Sequence, residues 1–201
     1  SHEATDSGSG TTAAIKVCQP VAPLGDNRVF PASASHPMKV FGFAGYSGSG
    51  KTTLIEQLIP HFVLEGLTVS LIKHAHAGFD IDRPGKDSFR LREAGCTEVL
   101  LTSNNRWVLM HELRGRDEPS LDEQIAALSP CDLVLVEGFK ASPIPKLEIH
   151  RPSHDRPLMY PDNPHVVAVA TDVPMELPLP RLDLNDVDAI AGFILTHQGF
   201  R

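Results

Sequence analysis

The chain has 201 residues, enough for one sizeable domain with its own core and short for two. Eighteen Lys and Arg stand against 25 Asp and Glu, for a net charge of −7, which argues against a general nucleic-acid binder. No apolar run approaches the roughly 18 residues of a membrane helix, and the first residues lack the basic-then-apolar pattern of a secretory signal. Cys18, Cys96 and Cys131 form no C-x-x-C pair, so neither a disulfide framework nor a cysteine zinc site is expected, and a reducing cytoplasm is the simplest setting.

Residues 1–37 are rich in Ser, Thr, Gly, Ala and Pro and read as a flexible tail, with one short strand near residues 15–18. A dense pattern of elements then begins at Met38. Residues 39–44 (KVFGFA) read as a buried strand and 52–65 as a helix. Leu54, Ile55, Leu58, Ile59, Phe62 and Val63 line one face of that helix, Pro60 kinks it and Gly66 stops it. A strand follows at 68–72, a short helix at 88–94, and two strands at 98–102 and 106–113. A helix at 120–128 opens with Ser120 and Glu123 in capping-box spacing. Residues 133–136 and 166–170 are continuous apolar strands, 146–150 (KLEIH) alternates like an edge strand, and 186–195 is a closing helix capped by Asn185 or Asp186. Apolar strands alternating with helices predict an α/β fold, a mostly parallel sheet covered on both faces.

The strongest motif is Gly45-Tyr46-Ser47-Gly48-Ser49-Gly50-Lys51-Thr52, which fits G-x-x-x-x-G-K-[ST] and sits between a strand and a helix. Gly45, Gly48 and Gly50 let the backbone wrap around phosphate oxygens, and the N–H groups of residues 48–52 converge on the β-phosphate, aided by the positive helix end. Ser47 and Ser49 belong to the same loop. Lys51 supplies a full charge at the β/γ oxygens, the Thr52 hydroxyl suits Mg²⁺, and Thr53 lies near the α-phosphate. Phosphoryl chemistry also needs a carboxylate at the end of a neighbouring strand, which Glu137 provides, followed by Gly138 for a sharp exit. Asp132, five residues earlier, reads as a strand-entry residue.

Segment 73–88 is dense in charged, imidazole and turn residues. His74, His76, Asp80 and Asp82 form only a weak metal pattern. A switch-like loop is the favoured reading, with Asp80 or Asp82 near Mg²⁺ or its water and Lys86 near phosphate. Asp172, after the 166–170 strand, has two readings. It either accepts the paired N1 and N2 donors of guanine, which adenine lacks, or caps the turn before Pro174.

The stretches FAGYSGSGKTTLIEQLIP, LIKHAHAGFDIDRPGKDSFRLREAG, DLVLVEGFKASPIPKLEIHR, VVAVATD and LDLNDVDAIAGFIL together resemble the MobB family of molybdopterin-guanine dinucleotide biosynthesis adapters, over about Met38 to Thr196. The runs D-x-D-x-P-G-K-D-S and V-E-G-F-K-x-x-P-I-P-K are far more specific than the phosphate loop. The resemblance implies a P-loop NTPase fold, GTP binding with weak GTPase activity and a homodimer. It also implies action beside the guanylyltransferase MobA, which attaches GMP to the molybdenum-bearing molybdopterin. Carried across, Gly48 to Thr53 hold phosphates, Thr52 and Glu137 serve Mg²⁺, and Asp172 recognises the base. The bare motif also fits a small-molecule kinase or an ATP-dependent ligase-type enzyme, which stands as the alternative.

Overall fold

The computed structural model describes residues 37–75 and 78–201. Residues 1–36 of the expected tail, and His76, lie outside them.

The elements run β1 (Lys39–Ala44), α1 (Lys51–Leu64), β2 (Val69–Lys73), α2 (Asp87–Glu93), β3 (Glu98–Thr102), β4 (Trp107–His111) and α3 (Leu121–Ala126). They continue with β5 (Leu133–Glu137), β6 (Lys146–His150), β7 (Val166–Thr171), β8 (Arg181–Asp183) and α4 (Val187–His197). Six strands form one sheet in the order β2-β5-β1-β6-β7-β8, and every neighbouring pair is parallel. The expected α/β class with a largely parallel sheet is the one observed. β3 and β4 form a separate antiparallel hairpin, closed through a Ser103 N–H to Arg106 carbonyl bond.

Alternation along the central strands sorts side chains onto two faces. Phe41 and Phe43 of β1 with Leu133 and Leu135 of β5 pack under α1 and α4, against Leu54, Ile55, Leu58, Phe62, Ile190 and Ile194. Burying each such side chain contributes about 1.5–3 kcal/mol. Val134 and Val136 point to the other face, where Leu121 and Ile125 of α3 cover them. Helices therefore lie on both faces, as parallel strands without a polar side require.

Several local expectations change. Val63 is exposed, so the buried face of α1 is Leu54, Ile55, Leu58 and Phe62. Pro60 lies inside α1, on its exposed side. β6 is not an edge strand: it lies between β1 and β7, and all five of its residues are buried. Two of its polar residues, Lys146 and Glu148, face backbone rather than water. Lys146 Nζ donates to the carbonyls of Lys140 and Ser142, and Glu148 accepts from the N–H groups of Met159 and Tyr160. Burial shifts both toward their neutral forms, lowering the Lys146 pKa and raising that of Glu148. The edge on that side is β8, three residues without an apolar pattern, which sequence reasoning did not find. The Ser120–Glu123 capping box forms as expected, and Asp186, not Asn185, caps α4 by accepting from the Ala189 N–H.

Candidate functional site

In a parallel sheet the groups that follow the carboxyl ends of the strands share one rim. Here that rim carries Gly45 after β1, the end of β2 at Lys73, Glu137 and Gly138 at the end of β5, Arg151 after β6 and Asp172 after β7. A cleft of ≈ 590 Å³ opens there, lined by the phosphate loop, Lys73, His74, Glu137, Gly138 and Lys140.

The loop geometry depends on glycine at its start. A Cβ on Gly45, whose φ is +150°, would lie 2.7 Å from both the Ile149 carbonyl oxygen and Ser49 Oγ. At its other end Gly50 adopts a left-handed conformation and α1 begins with no side-chain cap. The first N–H groups of the helix are therefore left for an anionic ligand, the use to which uncapped helix starts are suited.

Lys51 Nζ donates to the carbonyls of Gly45 and Tyr46 at 3.1 and 2.8 Å. Burial lowers its pKa most, Glu137 opposes that shift, and the cations Lys140 and Lys73 add to it. An ammonium held among like charges gains from any phosphate that enters. Lys140 and Arg156 lie 5.3 and 5.6 Å from the centre of the Tyr46 ring. Despite a net charge of −7, the mouth of the phosphate loop is thus rimmed with cations.

The Thr52 hydroxyl donates to Glu137, with Oε1 at 2.9 Å and Oε2 at 3.1 Å. Glu137 is only 8% exposed. Gly138 makes the turn at φ +107°, where a Cβ would lie 2.7 Å from the His74 Cβ. A hydroxyl and a carboxylate side by side at a phosphate loop are the oxygen donors that a hard ion such as Mg²⁺ takes. Lys73 Nζ, 2.9 Å from Thr52 Oγ1 and 3.1 Å from Glu137 Oε2, shows that this spot accepts a cation. The residues fit the metal, which would draw charge from phosphate oxygens when bound.

The structure does not bring Asp80 to this pair. Both Asp80 oxygens accept from Arg92 Nη2, at 3.1 and 3.0 Å, and Asp82 Oδ2 accepts from Arg92 Nε. The Asp82 N–H, then Arg92, hold the Asp80 carboxyl below its usual range. Arg92 also grips Glu112, so its three carboxylate partners join the 78–86 segment, α2 and the hairpin. Neither aspartate lines the phosphate-loop cleft, and nor does Lys86, which precedes α2. The His74 ring meets Glu118 at 3.1 Å and packs on Phe139. Among the described residues no group of three or more His, Cys, Asp or Glu could hold a metal ion. Asp132, at the far end of β5, accepts from the N–H and hydroxyl of Thr68, as a strand-entry residue should.

Asp172 stands on the rim but is already engaged. Arg151 Nη1 donates to its Oδ2 at 2.5 Å, while Arg151 Nε donates to the Ser49 carbonyl at 3.0 Å. Oδ1 is buried and, among the described residues, has no hydrogen-bond partner. Arg151 thus straps the phosphate loop to the end of β7. Sequence reasoning missed Arg151 because it placed β6 at an edge. With β6 beside β1, the residue after it must abut the phosphate loop.

The family profile described as molybdopterin guanine dinucleotide synthesis protein B, MobB, matches residues 40–172. The chain belongs to the MobB family. It is 43% identical over 160 residues to the molybdopterin-guanine dinucleotide biosynthesis adapter protein of Haemophilus influenzae, covering 80% of this chain and 89% of that one. The Escherichia coli K12 adapter of the same name is 44% identical over 161 residues, covering 78% and 91%. Among solved structures, the MobB protein homolog from Bacillus stearothermophilus superposes with a TM-score of 0.61 at 27% identity, covering 82% of this chain and all of its own. The MobB match takes in the phosphate loop, Lys73, Glu137, Arg151 and Asp172. Among the described residues, no helix is long and apolar enough to cross a membrane.

Proposed function

We propose that this MobB-family chain binds GTP with Mg²⁺ and acts as an adapter in molybdopterin guanine dinucleotide formation, beside the guanylyltransferase MobA that joins GMP to molybdopterin. The observation that carries the nucleotide reading is the Thr52–Glu137 pair, set at the foot of an uncapped helix and beside Lys51. Gly45 to Thr53 hold the phosphates, and Thr52 with Glu137 hold the metal. Asp172 is the candidate for base recognition from its place at the end of β7 on the same rim, with Arg151 holding its Oδ2. Any hydrolysis takes bound water as its nucleophile. Similarity to curated adapters over most of the chain weighs against the small-molecule kinase or ligase reading.

A cytoplasmic homodimer belongs to the same reading. Leu100, Leu101, Trp107 and Leu109 of the hairpin are 41–59% exposed, which suits cover by a second copy. Calorimetric titration with GTP, ATP and GDP, with and without Mg²⁺, tests the nucleotide assignment. Assembly of molybdopterin guanine dinucleotide by MobA, with and without the chain, tests the adapter role. Equal affinity for ATP and GTP would remove the base assignment, and no effect on MobA would remove the adapter role.

A further inference from the structure

Lys73 is the last residue of β2, and in the parallel register it is paired with Glu137 of β5. That pairing delivers a third group to the Thr52–Glu137 joint. The Lys73 ammonium donates to Thr52 Oγ1 at 2.9 Å and lies 3.1 Å from Glu137 Oε2, so it touches both oxygens that suit the metal. Its side chain is 49% exposed and lines the phosphate cleft, whereas Glu137 is nearly buried. A buried carboxylate is costly without a partner, and here the partner is a half-exposed cation on a long stem. An ammonium and a divalent ion cannot share the two oxygens, since they repel and compete for the same lone pairs.

We propose that Lys73 is a built-in occupant of the divalent-cation position. It neutralises Glu137 and orders Thr52 until metal binds, then yields both oxygens and stays in the cleft as a cation beside the phosphates. This rests on the reading of Thr52 and Glu137 as the metal pair. Lys73 is therefore a positioning residue that sets how tightly the site takes metal before nucleotide arrives. A salt bridge that merely held two strands together would have no such effect.

The test is Mn²⁺ titration of the full chain by electron paramagnetic resonance, without nucleotide and with GTP, for wild type, Lys73→Met and Lys73→Arg. Methionine keeps most of the stem and removes the charge, and the half-exposed site should tolerate it. Without nucleotide, Lys73→Met should bind Mn²⁺ about ten- to a hundredfold more tightly than wild type, the scale of losing one or two charge-assisted contacts that oppose the metal. Lys73→Arg should stay near wild type. In thermal melts Lys73→Met should lose stability without metal and recover more than wild type when MgCl₂ is added. Unchanged or weaker Mn²⁺ binding by Lys73→Met, alongside normal Mn²⁺ binding by wild type with GTP, overturns the exchange and leaves the metal pair standing. If wild type with GTP binds no Mn²⁺, the metal pair itself falls, and the exchange with it. Should Lys73→Met not fold, a Lys73→Arg variant with tightened metal binding would overturn the proposal equally.

Discussion

The two ends of β5 carry the same chemical pair with opposite consequences. At one end Asp132 accepts from the Thr68 hydroxyl, and at the other Glu137 accepts from the Thr52 hydroxyl. Asp132 is exposed and also accepts from the Thr68 N–H, so it clamps the start of β2 to β5. Glu137 is nearly buried, faces the uncapped start of α1, and has Lys73 and Lys51 as its surroundings. A threonine–carboxylate contact is thus a joint where the threonine's own N–H backs it, and a site where cations and free helix N–H groups converge on it. Direction decides which: all six strands run the same way, so the loops that leave their carboxyl ends meet at the Glu137 end only.

Four substitutions sharpen or break that contrast. Lys51→Ala should have the largest effect, cutting GTP affinity about a hundredfold or more with the melting temperature held, because its charge serves the phosphates and its hydrogen bonds go to two carbonyls of its own loop. Calorimetry and a melt on the same sample check it, and undiminished affinity would sink the phosphate assignment. Gly138→Ala, next, should destabilise the fold by about 1–3 kcal/mol, since alanine at φ +107° is strained and its Cβ meets His74. Chemical denaturation reads this directly. A wild-type midpoint would mean the turn relaxes freely and does not aim Glu137.

Asp172→Asn should reduce the GTP-over-ATP preference about tenfold while leaving triphosphate binding in place, as an amide turns one acceptor into a donor facing guanine's donors. Competition with xanthosine triphosphate refines the reading, because the variant should gain relative affinity for it. An equal loss for all three nucleotides would instead assign Asp172 to holding Arg151 against the loop. The smallest effect belongs to the far end of β5. Asp132→Asn should cost about 0.5–1.5 kcal/mol in stability and nothing in GTP affinity. A loss of binding there would show that the two ends are coupled and the contrast is false.

What the sequence revealed of this site follows the range of the forces involved. Lys51, Thr52 and Glu137 were legible because each belongs to a local pattern: a glycine-rich turn before a helix, or an apolar strand ending in a carboxylate. β1, α1 and β5 were legible for the same reason, as were the Ser120 box and the role of Asp132. Lys73 and Arg151 were not, because their partners are set by strand register, Lys73 against Glu137 and the end of β6 beside the start of the phosphate loop. Asp80 looked like a metal ligand only while Arg92, twelve residues on, was not known to claim it. The alternation Lys146, Glu148, His150 suggested a solvent face, whereas buried carbonyls and N–H groups satisfy the first two just as well. β8 gave no signal, since three residues of mixed character carry no period.

The central claim is that Glu137, with Thr52, forms the metal-bearing side of the phosphate site. Its most direct test is GTP affinity measured by calorimetry in Mg²⁺ and in EDTA, for wild type and Glu137→Gln. Glutamine keeps the shape and an acceptor for Thr52 but removes the charge. Wild type should bind GTP about ten- to a hundredfold more tightly in Mg²⁺ than in EDTA, and Glu137→Gln should lose most of that gain while its affinity in EDTA is held or improved. A Glu137→Gln protein that keeps the full Mg²⁺ gain would contradict the assignment and place the metal elsewhere on the rim.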